Sequence, residues 1–444
     1  MTAFLIKNAQ IVDSGRLFHS DLLIKDSRIE KIAPSISNLK YACTEINAEE
    51  KILLPGVIDV HVHFREPGLT HKADIRTESM AAVAGGITSY IEMPNTEPKT
   101  TTKELLTQKF ELASRSSFAN YSFYLGATND NFDELSSALE AGSPGVKIFM
   151  GASTGNMLVD NYQTLEHIFR NFAGIVVVHA ESEAIIKERT QYYKELHGDH
   201  IPYGLHPSIR TAEACFESSK IAAELAHKYN TRLHIAHLST EEEIELLNNA
   251  LPKGKQITSE VCVHHLYFDD KDYEEQRGLI KCNPAIKEER HKKALLKALL
   301  EDKIDLIATD HAPHTLLEKQ KPYLQCPSGI PLIQHSLALM LEFVHEKKMS
   351  LEKLVEKMSH NPAIAFNIAE RGFIKEGFKA DCVLIDMDKN VTVNESNLLS
   401  KCRWSPFTGK TFHSEITHTF VNGNLVWSGG KASSVTCGEK LIFQ

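Results

Sequence analysis

The chain has 444 residues, a formal net charge of −9 at pH 7 and a hydrophobic fraction of 42%. These proportions are ordinary for a globular protein, and an acidic balance with no basic stripe argues against nucleic acid as a partner. No apolar run approaches the roughly 20 residues of a membrane span, and the first residues lack the basic and apolar regions of a signal peptide.

Eight cysteines are scattered along the chain, and none forms a Cys-x-x-Cys pair. Scattered cysteines without a disulfide framework are typical of reduced thiols in the cytoplasm. We therefore expect a cytoplasmic protein that acts on a small molecule, with neither a membrane nor nucleic acid as partner.

The two ends of the chain share one pattern. Residues 2–54 and roughly 372–444 are rich in short segments in which apolar and polar residues alternate, as in strands with one buried face. Turn signals at residues 13–15 and 422–423 fit tight hairpins. We expect residues 1–54 and 372–444 to form together one small β-sandwich subdomain.

The middle of the chain alternates between two kinds of segment. Short, nearly continuous apolar runs are typical of parallel strands buried on both faces, and the longer amphipathic stretches between them are typical of helices. The runs are 57–62, 87–93, 121–126, 145–150, 175–179, 232–238, 256–261 and 304–309; the helical stretches are 74–84, 102–115, 130–141, 162–171, 212–229, 240–249, 287–300 and, after the last run, 332–346. The stretch at 240 opens with the spacing of a capping box. Eight strands alternating with helices predict a (β/α)₈ barrel over residues 55–371, and such barrels reach this length with insertions.

The first predicted barrel strand ends in two histidines, His61 and His63, and Arg65 follows them. Because side chains on a strand alternate between its faces, both imidazoles project to the same side. Two imidazoles that converge at a strand end can bind a divalent metal ion. Taken alone, the pair is equally consistent with structural histidines at a strand edge.

Other predicted strands have unusual polar residues at or near their ends. Lys147 lies in the fourth strand, His179 ends the fifth, His237 ends the sixth and Asp310 ends the eighth. Active sites of barrels lie at the C-terminal rim of the strands, so these residues are expected to converge with the two histidines. Four imidazoles and a carboxylate suffice to bind transition-metal ions such as zinc. His234, three residues before His237, is predicted to face the opposite way and is given no role.

Lys147 differs from the other candidate ligands because a protonated amine repels metal ions. A buried lysine can lose its proton when it is desolvated beside cations. A neutral amine that captures carbon dioxide becomes a carbamate, whose two oxygens can bridge two metal ions. The residues themselves do not reveal whether this modification forms.

The chain resembles the dihydroorotases of the amidohydrolase superfamily over essentially its whole length. The most specific matches are Asp-Val-His-Val-His-Phe-Arg-Glu-Pro-Gly at 59–68 and Thr-Asp-His-Ala-Pro-His at 309–314; others are Met-Pro-Asn-Thr at 93–96, Val-Lys-Ile-Phe at 146–149, Val-His-Ala at 178–180, His-Ile-Ala-His at 234–237 and Asn-Pro at 283–284. The resemblance implies that His61, His63, Lys147 and Asp310 hold one zinc ion. It implies that Lys147, as N6-carboxylysine, His179 and His237 hold a second.

The resemblance also implies the reaction, which is the reversible hydrolysis of the ring amide of (S)-dihydroorotate to N-carbamoyl-L-aspartate in de novo pyrimidine biosynthesis. Chemical reasoning agrees with it. One zinc ion lowers the pKa of bound water to about 7, so a hydroxide that bridges two is a nucleophile at neutral pH. The second ion can polarise the ring carbonyl. Asp310 can take the hydroxide proton during attack and deliver it to the departing ring nitrogen.

Arg65 is the main predictor of the substrate. Its planar guanidinium suits a carboxylate, which dihydroorotate has and the rings of allantoin and hydantoins lack. By resemblance, Asn95, Asn283 and His314 complete the recognition of carboxylate and ring. An allantoinase or hydantoinase-type cyclic amidase is the alternative reading. An inactive scaffold paralogue is disfavoured, because every ligand position has a competent residue.

Two loops and the assembly state stay open. Residues 151–156 have the composition of a mobile loop in which Ser153 or Thr154 donates to substrate, or they form an ordinary connection. In residues 328–334, Pro331 has no amide hydrogen, which leaves backbone contacts from this loop to substrate unsettled. The sequence is compatible with a homodimer, and some relatives associate with aspartate carbamoyltransferase, but no interface and no metal identity can be read from it.

Overall fold

The computed structural model describes residues 3–151, 157–250 and 252–444. In chain order the strands are β1 (Ala3–Asp13), β2 (Arg16–Lys25), β3 (Arg28–Ala33), β4 (Thr44–Asn47), β5 (Ile52–Pro55), β6 (Val57–Val62), β7 (Ile87–Glu92), β8 (Asn120–Phe123), β9 (Leu125–Gly126), β10 (Gly145–Phe149), β11 (Ile175–His179), β12 (Leu233–Ile235), β13 (Ile257–Cys262), β14 (Leu306–Ala308), β15 (Cys382–Asp386), β16 (Val391–Thr392), β17 (Thr411–Phe412), β18 (Glu415–Val421), β19 (Asn424–Ser428) and β20 (Lys431–Ala432).

The α-helices are α1 (Ile75–Ala84), α2 (Lys103–Ser116), α3 (Phe132–Leu135), α4 (Ser137–Glu140), α5 (Tyr162–Asn171), α6 (Glu183–His197), α7 (His206–Ile209), α8 (Ala212–Tyr229), α9 (Val263–Tyr267), α10 (Tyr273–Gln276), α11 (Glu289–Leu300), α12 (Leu316–Lys319), α13 (Ser336–His345), α14 (Leu351–Val355) and α15 (Asn361–Ala365). None of these helices is long and apolar enough to cross a membrane. All eight cysteines lie in the described ranges, and none of them forms a disulfide.

Strands from both ends of the chain form one mixed sheet, as predicted. Its order is β20-β19-β18-β15-β5-β1-β2-β3, and β4 pairs with β1. Both predicted hairpins are present, because β1 pairs antiparallel with β2 and β18 pairs antiparallel with β19 across their short turns. Apolar side chains from both ends of the chain, among them Ile6, Leu22, Leu53 and Leu384, share one core cluster. The subdomain boundaries at residues 54 and 372 stay predictions.

The middle strands form the predicted barrel. Strands β6, β7 and β8 pair in parallel, and β9 to β14 pair in parallel in the order of the chain. Only Tyr124 separates β8 from β9, so the two are segments of one strand. The ring closes between β14 and β6, where the His63 N–H donates to the His311 carbonyl at 2.8 Å.

Alternate residues of the barrel strands pack on two sides. In β11, Val177 packs with Ile58 and Val60 in a cluster that fills the barrel. Its neighbours Val176 and Val178 belong to the larger core that includes residues of the surrounding helices. This double burial explains why the strands read as nearly continuous apolar runs.

The helix predictions were right where an apolar stripe is present, as in α5 and α8. The stretch 130–141 forms two short helices, α3 and α4, instead of one. The stretch 240–249 forms only a 3₁₀ helix, Glu242–Leu246. The predicted capping contact exists, but the Glu243 carboxylate also accepts from Ser219 Oγ at 2.7 Å, which anchors this segment to α8. Helix α6 was not predicted, because Ile186 is its only fully buried residue and it therefore shows little hydrophobic periodicity.

A buried polar network joins the barrel to the terminal sheet. The Asp381 carboxylate pairs with Arg371, accepts the Asn422 N–H at 2.7 Å and accepts from the Asn120 side chain of β8 at 3.0 Å. Asp381 and Arg371 are 3% and 4% exposed. Arg371 also pairs with the partly exposed Glu439 at 3.1 Å, so Asp381 is its buried counter-charge but not its sole one. Because both members of the Asp381–Arg371 pair are desolvated, removing either one is costly.

We predict that Asp381→Ala lowers the free energy of unfolding by about 3–5 kcal/mol, because the buried Arg371 guanidinium keeps only the partly exposed Glu439 as counter-charge and the Asn422 N–H loses its acceptor. Urea unfolding monitored by circular dichroism measures this change. Asp388→Ala, which removes an exposed carboxylate of the same sheet region, is the control and is expected to cost about 0.5 kcal/mol or less. Equal effects for the two variants would contradict the assigned role of the network.

Candidate metal centre

The predicted site residues converge at one end of the barrel. His61 lies in β6 and His63 just after it, Lys147 lies in β10, and His179 ends β11. A cavity of about 90 Å³ opens among their side chains, and it is lined by His61, His63, Arg65, Asn95, Lys147, Phe149, His179, His237, Asn283, Asp310, Ala312, Ser328 and Gly329. The remaining predicted residue, His314, contacts Arg65. A larger cavity of about 740 Å³, lined by segments 199–204, 273–279 and 316–323, contains none of these residues.

The first set of donor atoms comes from β6 and the end of β14. Asp310 Oδ1 lies 3.3 Å from His61 Nε2 and 3.0 Å from His63 Nε2. The three side chains are buried, and their ligand atoms lie within 4.8 Å of one another. Two atoms that each lie about 2.0–2.2 Å from zinc are separated by no more than about 4.4 Å. The measured separations therefore suit one shared cation.

The second set of donor atoms comes from β10, β11 and the segment after β12. His179 Nδ1 and His237 Nε2 lie 2.8 Å apart. Burial lowers the pKa of both imidazoles, and the neighbouring Lys147 amine contributes to that shift. The His61 and His237 rings are 5.2 Å apart between centroids, so the two donor sets are adjacent.

Two buried atoms of this region support a cation-binding role. Lys147 Nζ and His237 Nδ1 have no hydrogen-bond partner in the described part of the chain. A buried polar atom without a partner costs free energy, so such atoms are usually found where a ligand or modification completes the site. Burial also lowers the pKa of Lys147 to about 8, which favours the neutral amine that can react with carbon dioxide. The residues present thus fit a metal centre, and the neutral amine of Lys147 beside it is open to modification.

Three site residues have left-handed backbone conformations. Their φ angles are 70° at Arg65, 39° at His237 and 47° at Asp310. Side chains other than glycine rarely adopt such angles, and they persist where the surroundings impose them. In each case the turn comes just after a barrel strand and directs the side chain to the cavity.

Glu260, in the middle of β13, was missed by the sequence analysis. Its Oε1 contacts His61 Nδ1 and accepts the His237 N–H at 3.2 Å, and its Oε2 lies 3.0 Å from His234 Nε2. Burial alone would raise the pKa of Glu260, but the His61 and His234 imidazoles hold it well below its usual range. Glu260 therefore fixes the ring of one candidate ligand and the backbone of another.

The prediction for His234 was wrong. Its ring is buried in the barrel and contacts Glu260 on one side and Thr258 Oγ1, at 2.9 Å, on the other. His234 is not beside His237 at the cavity. Its ring contacts the Glu260 carboxylate, which in turn contacts and orients His61. The signal was available, because Thr258, Glu260 and Cys262 place polar atoms at alternate positions of an otherwise apolar strand.

Two further contacts hold the other candidate ligands. Glu181 Oε2 lies 2.8 Å from His179 Nε2 and is paired with Arg210, so Nδ1 of His179 is left to face the cavity. Asn95 Oδ1 lies 2.7 Å from His63 Nδ1, which leaves Nε2 of His63 for the cation. Glu181 was not predicted, although it follows His179 at the same two-residue spacing that separates His61 from His63.

The polar wall beside the first donor set consists of Arg65 and its neighbours. Arg65 Nε donates to the Pro313 carbonyl at 3.1 Å, and its Nη2 is 3.0 Å from His314 Nε2. Lys72, which the sequence analysis did not name, lies 3.1 Å from His314 Nδ1 and 3.2 Å from Glu318. Burial lowers the pKa of Arg65 to about 10, so the guanidinium is still cationic at neutral pH.

The loop at 328–334 reaches the cavity through its first residues. Ser328 Oγ donates to Asn283 Oδ1 at 2.9 Å, and Gly329 lines the cavity. Gly329 has φ = 141°, and a Cβ there would lie 2.3 Å from the Ala312 carbonyl oxygen, so glycine is required. Beyond Pro331, the amides of Leu332 and Ile333 donate to His311 Nδ1 at 3.0 and 3.2 Å, away from the cavity. Ser153 and Thr154 lie outside the described residues.

The chain is similar to known proteins over most of its length. The amidohydrolase family model matches residues 52–426. A dihydroorotase from Lactobacillus acidophilus is 33% identical over 441 residues, covering 96% of this chain and 99% of that protein. A dihydroorotase from Methanosarcina acetivorans is 34% identical over 435 residues, covering 95% and 91%.

A solved structure shares the whole architecture. The L-hydantoinase (dihydropyrimidinase) from Arthrobacter aurescens superposes with a TM-score of 0.94 at 28% identity and full coverage of both chains. The barrel and the terminal sheet agree with these similarities, and the chain belongs to the amidohydrolase family and, within it, to the dihydroorotases.

Proposed function

We propose that this chain hydrolyses the ring amide of dihydroorotate to N-carbamoyl-aspartate and closes it again in the reverse direction, as a step of pyrimidine biosynthesis. The observation that carries the proposal is Arg65, a buried cation that lines the same cavity as the two donor sets. A buried cation beside a metal centre needs an anion, and the ring carboxylate of dihydroorotate supplies one. The names of the relatives support the same substrate.

The donor sets support two divalent cations, which we propose to be zinc, with Lys147 as N6-carboxylysine between them. The first set is His61, His63 and Asp310, and the second is His179 and His237. When bound, the cations would polarise the scissile carbonyl and lower the pKa of water at neutral pH. We further propose that the protein acts on dihydroorotate in the cytoplasm. The homodimer stays a prediction from the sequence.

Asp310 is the group that we propose moves the proton. Burial alone would raise its pKa, but His61 and His63 hold it well below its usual range, so the carboxylate begins ionised. An ionised carboxylate at the cavity can accept the proton of the attacking water and return it to the ring nitrogen as the amide bond breaks. In the reverse direction it removes the proton from the carbamoyl nitrogen.

We propose that the polar wall formed by Arg65 and its neighbours orients the substrate ring. A guanidinium that binds the carboxylate places the opposite side of the ring over the donor sets. Asn283 and His314 flank it, and Ser328 fixes Asn283 through its side-chain oxygen. Phe149 provides an apolar surface of the cavity. Such positioning contributes by holding the reacting atoms in one geometry.

We predict that Arg65→Ala lowers kcat/KM for dihydroorotate by about 30- to 1,000-fold, equivalent to about 2–4 kcal/mol of lost transition-state stabilisation. The hydrolysis of hydantoin or dihydrouracil, which lack the carboxylate, is expected to change much less. Steady-state kinetics with both substrates measures the difference. Arg115→Ala, which removes an exposed arginine, is the control.

An equal loss on both substrates would contradict the carboxylate assignment. Faster turnover of the neutral rings than of dihydroorotate by the unmodified protein would favour the hydantoinase reading, which the likeness to the Arthrobacter aurescens structure also raises.

Removal of metal is expected to abolish activity. Dialysis against a chelator should yield inactive protein, and addition of Zn²⁺ with bicarbonate should restore activity, because the lysine carbamate needs both carbon dioxide and a cation. Metal content measured by elemental analysis should rise in step with turnover. Full turnover by metal-free protein would overturn the proposal.

We expect Glu260→Gln to weaken metal binding about 10- to 100-fold, because the neutral amide no longer holds His61 by a charge-assisted contact. Competition with a metal chelator measures the affinity. Glu274→Gln, an exposed substitution of the same type, should leave the affinity unchanged. An unaltered affinity in Glu260→Gln would show that His61 is positioned by other contacts.

A further inference from the structure

A second group of metal-type ligands lies at the end of β13. Cys262 is the last residue of that strand, and His264 and His265 follow in α9. Their ligand atoms lie within 4.8 Å of one another, and all three side chains are buried. The group shares no residue with the two donor sets described above.

Three of the four ring nitrogens of this group lack partners in the described part of the chain. Both nitrogens of His264, which is 1% exposed, and Nδ1 of His265, which is 4% exposed, have no hydrogen bond in the described part of the chain. His265 Nε2 contacts the Pro284 carbonyl at 3.1 Å, which makes it the protonated nitrogen and leaves a lone pair on Nδ1. Three unpaired nitrogens in a buried position are costly without a ligand.

We propose that Cys262, His264 and His265 form a third metal site that takes Zn²⁺ or a comparably thiophilic cation. One thiolate and two imidazoles are a donor set that zinc accepts, and three protein ligands leave one exchangeable position. On binding, the Cys262 thiol releases its proton to solvent and the sulfur coordinates the ion. The proposal does not depend on the substrate of the enzyme.

Charges of both signs lie near the group. Burial lowers the pKa of both imidazoles, with contributions from His61 at His264 and from Lys287 at His265, so the two rings are neutral and able to coordinate, while the charges acting on Cys262 are carboxylates. Burial and the carboxylates of Glu260, Asp310 and Asp59 raise the pKa of the Cys262 thiol well above its usual value. The same carboxylates that oppose a bare thiolate attract a divalent ion, and the ion in turn allows the thiol to ionise.

The site connects to the substrate loop. His265 contacts the carbonyl of Pro284, which follows Asn283, and Asn283 lines the catalytic cavity. A metal ion held by His264 and His265 would therefore fix the start of α9 against this loop. The site is thus a positioning element beside the catalytic centre and not a replacement for it.

Reconstitution with Co²⁺ tests the site directly. A thiolate bound to Co²⁺ gives a charge-transfer absorption in the near ultraviolet, and neither catalytic donor set contains a thiolate. We expect the band in the unmodified chain and in Cys382→Ser, which changes a cysteine of the same burial in β15. Cys262→Ser should lack the band and should bind one zinc equivalent fewer by elemental analysis.

Absence of the band from the fully loaded unmodified chain, or its persistence in Cys262→Ser, would overturn the proposal. His264→Ala keeps the thiol and should bind the third ion at least about tenfold more weakly. If Cys262→Ser does not fold, anomalous diffraction at the zinc edge from crystals of the unmodified protein decides the question. A peak between Cys262 and His264 supports the site, and its absence refutes it.

Discussion

The arrangement of the metal centre depends on the contacts made by the buried carboxylate of Glu260. A charge in the interior of a barrel is tolerated only where hydrogen bonds and opposite charge surround it. Here the His61 ring, the His237 backbone and the His234 ring all meet it. Because these groups come from β6 and from β12 with the segment after it, satisfying one carboxylate of β13 also sets the relative positions of two candidate ligands.

The other candidate ligands are held by the same principle. His179 is oriented by Glu181, whose charge is balanced by Arg210, and His63 is oriented by Asn95. In each ring, one nitrogen is engaged by the protein and the other faces the cavity. Ring orientation is therefore decided by the outer contacts before any cation is present, which limits the reorganisation that binding requires.

The polar wall of the cavity, formed by Arg65 and its neighbours, is built differently. Its residues lie on loops that follow strands. Arg65 and Asp310 both have left-handed backbone conformations, and Gly329 closes the wall where no Cβ fits. Such conformations are retained because the surrounding structure imposes them. The result is a cation, Arg65, and an ionised acid, Asp310, that face one cavity from neighbouring segments. The Cys262 group lies at the same rim, where polar side chains at strand ends avoid the apolar interior.

Much of this arrangement could be predicted from the residues alone. Continuous apolar runs predicted six of the eight barrel strands to within one residue at each end, since both faces of each strand are buried, while β12 and β14 are shorter than the runs at 232–238 and 304–309. The spacing of His61 and His63 indicated a metal site without any coordinates. Helix α6 could not be predicted, because it buries almost nothing. The helix expected after Thr240 was wrong, because Glu243 bonds to Ser219 of a distant helix.

The contacts of Glu260, His234 and Lys72 were decided only by the tertiary structure. Each depends on a partner that is close in space and distant in the chain, and strand alternation gives the face of a side chain but not what it meets across the barrel. The sequence by itself determined which residues can bind metal and at which rim they lie, because parallel strands bring their ends together. Which nitrogen of His61, His63 and His179 faces the cavity was decided by packing, because only the folded chain brings Glu260, Asn95 and Glu181 to the other nitrogen.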